Sequence, residues 1–358
     1  MAQNITPLQE IMNFTLKSSA EIPPELRTYR YIKLASAIVL CILSPITAIP
    51  NALLLTAIYR GPLRCFRTPM TYLIAGLAVA DLLTGIFVEP MVASCYFADF
   101  RNKASLSYQL MYRIGGIISG VTITESYFIV LALSVCQYIA VRYPHQFKAI
   151  VSRNRVFASL AVSSVYITCF NMLQFTGIDY KTHLKIHLIL HATLILAALV
   201  VVQVMLFSSF NRHLKHSRLL HNSSAHIAAS LKNRHSERQF TVMIFYLAAI
   251  LLASCFLHVV AFYIFLFKKP TNREEIINIH SVLLISDLML YIKVALDVFI
   301  YAWRNPSYRR ALWWTLLGRR TYRRVSVCRK STDGISPRHL HALEGPGTQT
   351  ATAGKDLT

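Results

Sequence analysis

Long apolar runs separated by short polar, mostly basic stretches set the pattern of this chain. About 20 consecutive apolar residues cross the hydrocarbon core of a bilayer as one α-helix. Read with that window, the runs cover residues 32–59, 70–97, 106–141, 156–175, 184–210, 240–267 and 279–303. The third carries the most polar residues, and seven is the simplest count. The pattern predicts an all-α membrane protein, a seven-transmembrane helix bundle. A further stretch, residues 306–317, places Tyr308, Leu312, Trp313, Leu316 and Leu317 with Arg309 and Arg310 beside them, after a proline suited to a first turn. It predicts a short amphipathic helix lying on the cytoplasmic membrane surface.

This divides the chain into an extracellular segment 1–31, a bundle 32–305, an interfacial helix 306–317 and a disordered cytoplasmic tail 318–358, rich in Arg, Ser, Thr, Gly and Pro. The opening MAQNITPLQE lacks the basic-then-apolar pattern of a cleaved signal peptide, so the first span is expected to direct insertion. Basic residues fix the orientation. The loops after runs one, three and five carry Arg60, Arg64 and Arg67, then Arg142, Lys148, Arg153 and Arg155, then Arg212, Lys215 and Arg218 among others. The opposite loops hold fewer. Sequons at Asn4 and Asn13 suit an extracellular amino terminus and glycosylation there. The expected location is the plasma membrane, N-terminus outside and C-terminus in the cytoplasm.

Composition agrees. Hydrophobic residues make up 54% of the 358, charged residues only 15%, and mean hydropathy is +0.45. Soluble domains carry roughly 25% charged residues, so lipid must cover part of this surface. The formal charge of +21 would suit nucleic acid, but the basic residues flank apolar spans instead of forming aromatic-interleaved faces, which excludes that partner. The seven cysteines show no CxxC or Cys/His metal spacing and no extracellular disulfide framework. No nucleophile–base constellation or phosphate loop is present, so neither an enzyme nor a cofactor is expected.

Several motifs stand in a telling order: Asn51 within PNALLL, Asp81 closing LAVAD, YIAVRYPHQF from Tyr138, and DVFIYAWRNPSYRRAL through Tyr301. Over residues 31–317 they resemble a rhodopsin-like (class A) G-protein-coupled receptor, the last stretch resembling that family's NPxxY junction with helix eight. The short link before the fifth span, the absence of proline in that span, and Tyr112 where a cysteine is usual look like a degenerate member near the melanocortin/adenosine-like branch.

The departures fall on switch positions. Where the resemblance implies an Asp-Arg pair before Tyr138, this chain has Cys136 and Gln137; glutamine lacks the charge and the guanidinium fork. The sixth-span CWxP reads Cys255-Phe256-Leu257-His258, so both its tryptophan and its proline are gone. Val298 replaces a proline in the seventh span, Gln203 a fifth-span tyrosine, and Ser164 the fourth-span tryptophan. With the proline kinks removed, the sixth and seventh helices are expected to be straighter.

Asp81, Glu125, Asp287, Lys293 and Asp297 lie within spans, where each charge costs about 2.5–3.5 kcal/mol without a partner. Lys293 and Asp297, four apart, share a helix face. The resemblance places Asp81, Ser126, Lys293 and Asp297 around a sodium pocket, where a lysine is foreign. Either Lys293 bridges both acids as a built-in cation, or it pairs with Asp297 alone.

Ser119 stands where the monoamine receptors of this family carry aspartate, which disfavours a biogenic amine. Glu89, Asp287, Tyr291 and Tyr263, with Ser119 and His187, are candidate ligand contacts for a cationic or peptidic ligand, or they satisfy one another's polarity. His183, His187 and His191 repeat every four residues, a spacing that serves a metal, a pH response or a hydrated bundle face. Cys328 is a palmitoylation candidate.

The resemblance implies a receptor for an extracellular ligand, coupling weakly or atypically to a heterotrimeric G protein, with arrestin or another receptor as further partners. The alternatives are a non-signalling pseudo-receptor or heteromerisation partner and, third, a transporter or proton-coupled channel.

Overall fold

The computed structural model describes residues 24–60, 68–101, 105–219, 227–304 and 309. Among them, seven long helical segments follow one another. They are α1 Pro24–Arg60, α2 Pro69–Phe100, α3 Leu106–Arg142 and α4 Arg153–Met172, then α5, α6 Ile227–Phe267 and α7 Arg273–Arg304. The fifth, α5, is assembled from Tyr180–His187, Leu188–Thr193 and Leu194–Leu219.

Six of these helices are long and apolar enough to cross a membrane. The seventh, α7, has 32 residues and carries Asp287, Lys293 and Asp297. The chain is therefore an all-α, multi-pass membrane bundle. Exposed side chains such as Ile42, Val162, Val204 and Phe299 point outward from it, the reverse of a water-soluble core.

Helix continuity follows proline chemistry only in part. In α2, residues Thr84–Val88 form a π turn just before Pro90. A proline ring would collide with the carbonyl four residues back, and the wider turn relieves that collision. Residues Leu188–Thr193 of α5 form another π turn with no proline near it. There Thr193 Oγ1 donates to the Leu188 carbonyl at 2.9 Å and satisfies a group the wide turn releases. By contrast α6 and α7, stripped of their expected prolines, run without a break.

Ser152 and Asp179 cap α4 and α5, accepting from Arg155 N and Thr182 N. The short link between these helices turns at Gly177, whose φ of +89° only glycine adopts without strain.

α1 begins at Pro24, and Leu26 and Tyr29 in its first turns are buried. Polar contacts draw this part of the chain in: Arg30 Nη2 donates to the Phe100 carbonyl at 2.5 Å, and Lys33 Nζ meets Asp99 Oδ2 at 2.6 Å. The Arg30 guanidinium also lies over the Phe100 ring at 5.5 Å.

Two apolar cores hold the bundle. One gathers Leu54, Leu73, Leu77, Leu133, Leu199, Leu206, Met243 and Val298. The other gathers Leu26, Leu40, Val88, Tyr96, Ile277 and Tyr291. Along α1, α2 and α7 the residues between them are polar and buried: Thr47 and Asn51, Asp81 and Thr84, then Lys293. A polar belt thus separates two greasy layers.

Candidate functional site in the polar interior

The belt is built from residues that each helix turns inward. Lys293 and Asp297 lie one turn apart on α7, and their ion pair closes at 2.6 Å with both side chains almost fully buried. The Lys293 ammonium donates at 2.6 Å to Ser126 Oγ of α3, tying those helices together. The Asp297 contact is an ion pair more than a directed hydrogen bond, since neither carboxylate oxygen meets a donor at hydrogen-bonding geometry.

Asp81 of α2 lies within electrostatic reach of Lys293, Asp297 and Glu89, yet its Oδ2 meets no donor. Lys293 Nζ is thus shared between direct contacts to Asp297 and Ser126 and the field of Asp81.

Glu89 was expected on the ligand side. It is fully buried, with Thr47 Oγ1 of α1 donating to its Oε1 at 3.1 Å and its Oε2 unpartnered. Asn51 Oδ1 is likewise without a donor. The belt therefore presents four acceptor-bearing side chains, Asn51, Asp81, Glu89 and Asp297, and one ammonium.

Nearer the end of the bundle where α6 meets α7, Ser119 Oγ and Tyr291 Oη meet at 3.3 Å between α3 and α7. His258 Nδ1 of α6 faces Asp287 Oδ1 of α7 at 3.0 Å, with Ser286 Oγ at 3.4 Å. Tyr263 Oη meets Thr193 Oγ1 of α5 at 3.3 Å. Ser119, Tyr291, His258, Asp287 and Tyr263 thus link α3, α5, α6 and α7 in pairs.

The histidines do not converge on one point. His183 Nε2 contacts the Phe170 carbonyl at 3.1 Å, His187 Nε2 meets Thr124 Oγ1 at 3.2 Å, and His191 Nε2 meets Tyr166 Oη at 3.0 Å. Among the described residues no group of three His, Cys, Asp or Glu is placed to hold a metal. Each ring meets a different neighbour, and the Phe170 ring centroid lies 4.9 Å from that of His183 and 4.4 Å from that of His191.

Towards the other end, Gln137 Nε2 donates to Thr241 Oγ1 at 2.7 Å, joining α3 to α6. Gln203 Nε2 donates to Ser134 Oγ at 2.8 Å, joining α5 to α3. Tyr138 is half-buried against the larger core, Val298 lies inside it, and Cys136 lines a shallow groove beside α4. Phe256 departs from its expected place: it is 60% exposed on the outer face, and Cys255 turns inward instead. A 100° step per residue puts neighbours on different faces, so only one of the two fits the interior. Asn4, Asn13, Cys328 and residues 306–308 and 310–358 lie outside the described residues, as does the side chain of Tyr301.

Sequence reasoning missed the hydroxyl partners: Thr47 for Glu89, Thr241 for Gln137, Ser134 for Gln203, and Ser163, which donates at 2.7 Å to Glu125. A serine or threonine in an apolar helix ordinarily bonds its own i−4 carbonyl, as Ser254 does with Ile250. Such residues carry no visible mark of pairing across helices.

No family model matches the chain. Over 134 residues it is 27% identical to the adenosine receptor A2b of Canis lupus familiaris and equally to that of Rattus norvegicus. Over 88 residues it is 40% identical to the 5-hydroxytryptamine receptor 1D of Canis lupus familiaris. The similarity supports membership of the G-protein-coupled receptor superfamily. It covers 37% of this chain and 37% of the adenosine receptors, and 24% of this chain and 22% of the serotonin receptor. The polar belt offers ion pairs and hydrogen bonds that hold helices together.

Proposed function

We propose that this chain is a rhodopsin-like receptor that takes an extracellular ligand between α3, α6 and α7 and passes a change of helix packing to the cytoplasmic side, with weak or absent G-protein activation. Its mechanism is a population shift between two packings of one bundle. The N-terminus lies outside and the C-terminus inside in this reading, which the excess of basic residues in the loops after spans one, three and five supports. The observation that carries the reading is the Gln137–Thr241 bond of 2.7 Å. A neutral amide stands where the resemblance implies an arginine, and it reaches across to α6, the helix whose movement would open the cytoplasmic face.

The pairs Ser119–Tyr291 and His258–Asp287 are the proposed ligand-side contacts, since a ligand inserted among them exchanges its own hydrogen bonds for theirs. A cationic or peptidic ligand suits the Asp287 carboxylate. Lys293 supplies the buried cation of the central pocket in place of sodium.

The test is a panel of G proteins measured for nucleotide exchange in membranes containing the chain and its Gln137→Arg, His258→Pro and Val298→Pro variants. Little exchange by the parent and a gain in Gln137→Arg are expected. Robust exchange by the parent that Gln137→Arg leaves unchanged rejects weak coupling. Silence in every variant, together with altered trafficking of a co-expressed receptor, favours a pseudo-receptor that pairs with arrestin or a second receptor.

A further inference from the structure

Tyr112, Ser119 and Ser126 follow one another at intervals of seven residues along α3, nearly two full turns each, and so share one face. Ser119 meets Tyr291 and Ser126 meets Lys293, so that face looks at α7. Tyr112 lies two turns beyond Ser119 towards the start of α3. Asp287 lies one turn beyond Tyr291 towards the start of α7.

Tyr112 is within electrostatic reach of Asp287 and Tyr291 of α7, Tyr29 of α1 and Tyr180 of α5. Yet Tyr112 is 51% exposed and Tyr180 is 54% exposed. Side chains that close to three other helices stay open only where a cleft enters between them. Neither phenol hydroxyl makes a hydrogen bond among the described residues.

Opposite charges border this cleft. His258 Nδ1 meets Asp287 Oδ1 at 3.0 Å, which leaves Oδ2 to a ligand. Lys33 does not compete for it, being paired with Asp99 at 2.6 Å. Of Arg113 and Lys181, which flank Tyr112 and Tyr180 in the sequence, Arg113 is the cation that acts on Tyr180. Arg113 is exposed and forms no ion pair among the described residues. Measured along the helices from the Ser119–Tyr291 contact, Arg113 lies about 9 Å and Asp287 about 6 Å towards the α6–α7 end, at 1.5 Å per residue. A carboxylate and, slightly nearer the mouth, a guanidinium thus border one opening walled by phenols.

We propose that this cleft takes a zwitterion with an aromatic body, its ammonium at Asp287 Oδ2, its carboxylate at Arg113 and its ring against Tyr112 and Tyr180. An aromatic amino acid and a dipeptide with free ends both carry that chemistry. A lone cation leaves Arg113 without a partner, and a lone anion leaves Asp287 without one. The ligand ring gains offset or edge contacts with the two phenols. This assignment rests on the reading of α3, α6 and α7 as the ligand side.

Saturation-transfer NMR on the full chain in detergent, with empty micelles as the blank, tests it. The probes are phenylalanine, phenylalaninamide and N-acetylphenylalanine, and phenylalanylglycine with the same two caps. In at least one series the zwitterion should bind about threefold more tightly than either capped form, the scale of one exposed charge interaction. The series that shows it separates amino acid from dipeptide. Arg113→Gln should bring amide and zwitterion to parity, and Asp287→Asn should do so for the acetylated form and the zwitterion. Tyr112→Leu should weaken all forms alike. Equal binding of amide and zwitterion by the parent in both series overturns the proposal, as does a parent that binds no form, or preferences that survive both charge substitutions. No G protein enters the measurement. Robust nucleotide exchange by the parent, which rejects weak coupling, therefore leaves this site standing, and a parent that binds no form loses the site while the coupling result stands. Arg113 is a surface residue, so its variant decides the question even if Asp287→Asn fails to fold.

Discussion

Gln137 and Thr241 share one hydrogen bond of 2.7 Å that spans the gap between α3 and α6. Both side chains are buried, so water does not compete for it. An interhelical hydrogen bond within a membrane is worth about 0.6 kcal/mol on average. Gln137→Leu should lower the melting temperature in detergent slightly. Thr241→Val should cost at least as much, because Thr241 has a further interaction. A Gln137→Leu chain more stable than the parent contradicts a bond that holds these helices.

Lys293 and Asp297 stake more. Removing one member of a buried ion pair typically costs about 3–5 kcal/mol, while replacing both by apolar groups is often neutral. Lys293→Met should therefore destabilise strongly, and Lys293→Met with Asp297→Leu should recover most of the loss. Because the parent already holds an ammonium beside Asp297 at 2.6 Å, exchanging sodium chloride for choline chloride should leave its melting temperature unchanged. Lys293→Ser should acquire a sodium-dependent rise. Sodium stabilising the parent as much as the variant refutes the resident-cation role.

Gly85 packs α2 directly against the α1 backbone. A Cβ placed there would meet Ala48 N at 2.9 Å and Thr47 Cβ at 3.0 Å, and Ser44 Oγ already donates to the Gly85 carbonyl at 2.8 Å. Overpacking of this kind costs about 1–3 kcal/mol. Gly85→Ala should fold with reduced stability, and Gly116→Ala, whose Cβ meets nothing within 4 Å, should behave like the parent. Equal melting temperatures for the two variants would mean that the close approach is not needed.

His258 and Asp287 bridge α6 and α7 at 3.0 Å while remaining partly open, with side chains 17% and 34% exposed. Solvent screening limits such a pair to about 1 kcal/mol. In a cycle of His258→Phe, Asp287→Leu and the double variant, the two single losses should exceed the double loss by that amount. Strict additivity denies the bridge any energetic part.

Glu275 carries the pH dependence outside the membrane. The Lys268 ammonium, then the Thr271 N–H, hold its carboxyl down at about 2. A depressed carboxylate contributes its stability above the ordinary carboxylate range and loses it as pH falls through the folded value. Hydrogen-exchange protection of the Thr271 amide, corrected for intrinsic rates, should stay level from pH 7 to about 5 and fall progressively from there towards pH 2. Protection already lost at pH 5 argues against the Lys268–Glu275 contact in solution.

Apolar runs of about 20 residues determined the helices of this protein without help from tertiary structure, because lipid leaves a backbone no partner but itself. The helices found extend each run by at most a few turns. Lys293 and Asp297 were legible as partners for a related reason: four residues apart on one helix is a distance set by the helix alone. What the fold alone decided were pairings between helices. Nothing local distinguishes the Thr241 that meets Gln137 from a threonine bonded to its own backbone, and nothing marks Phe256 as outward and Cys255 as inward. Nor does any proline announce the π turn of α5. These depend on the rotation and depth of each helix against its neighbours, which packing of the whole bundle sets.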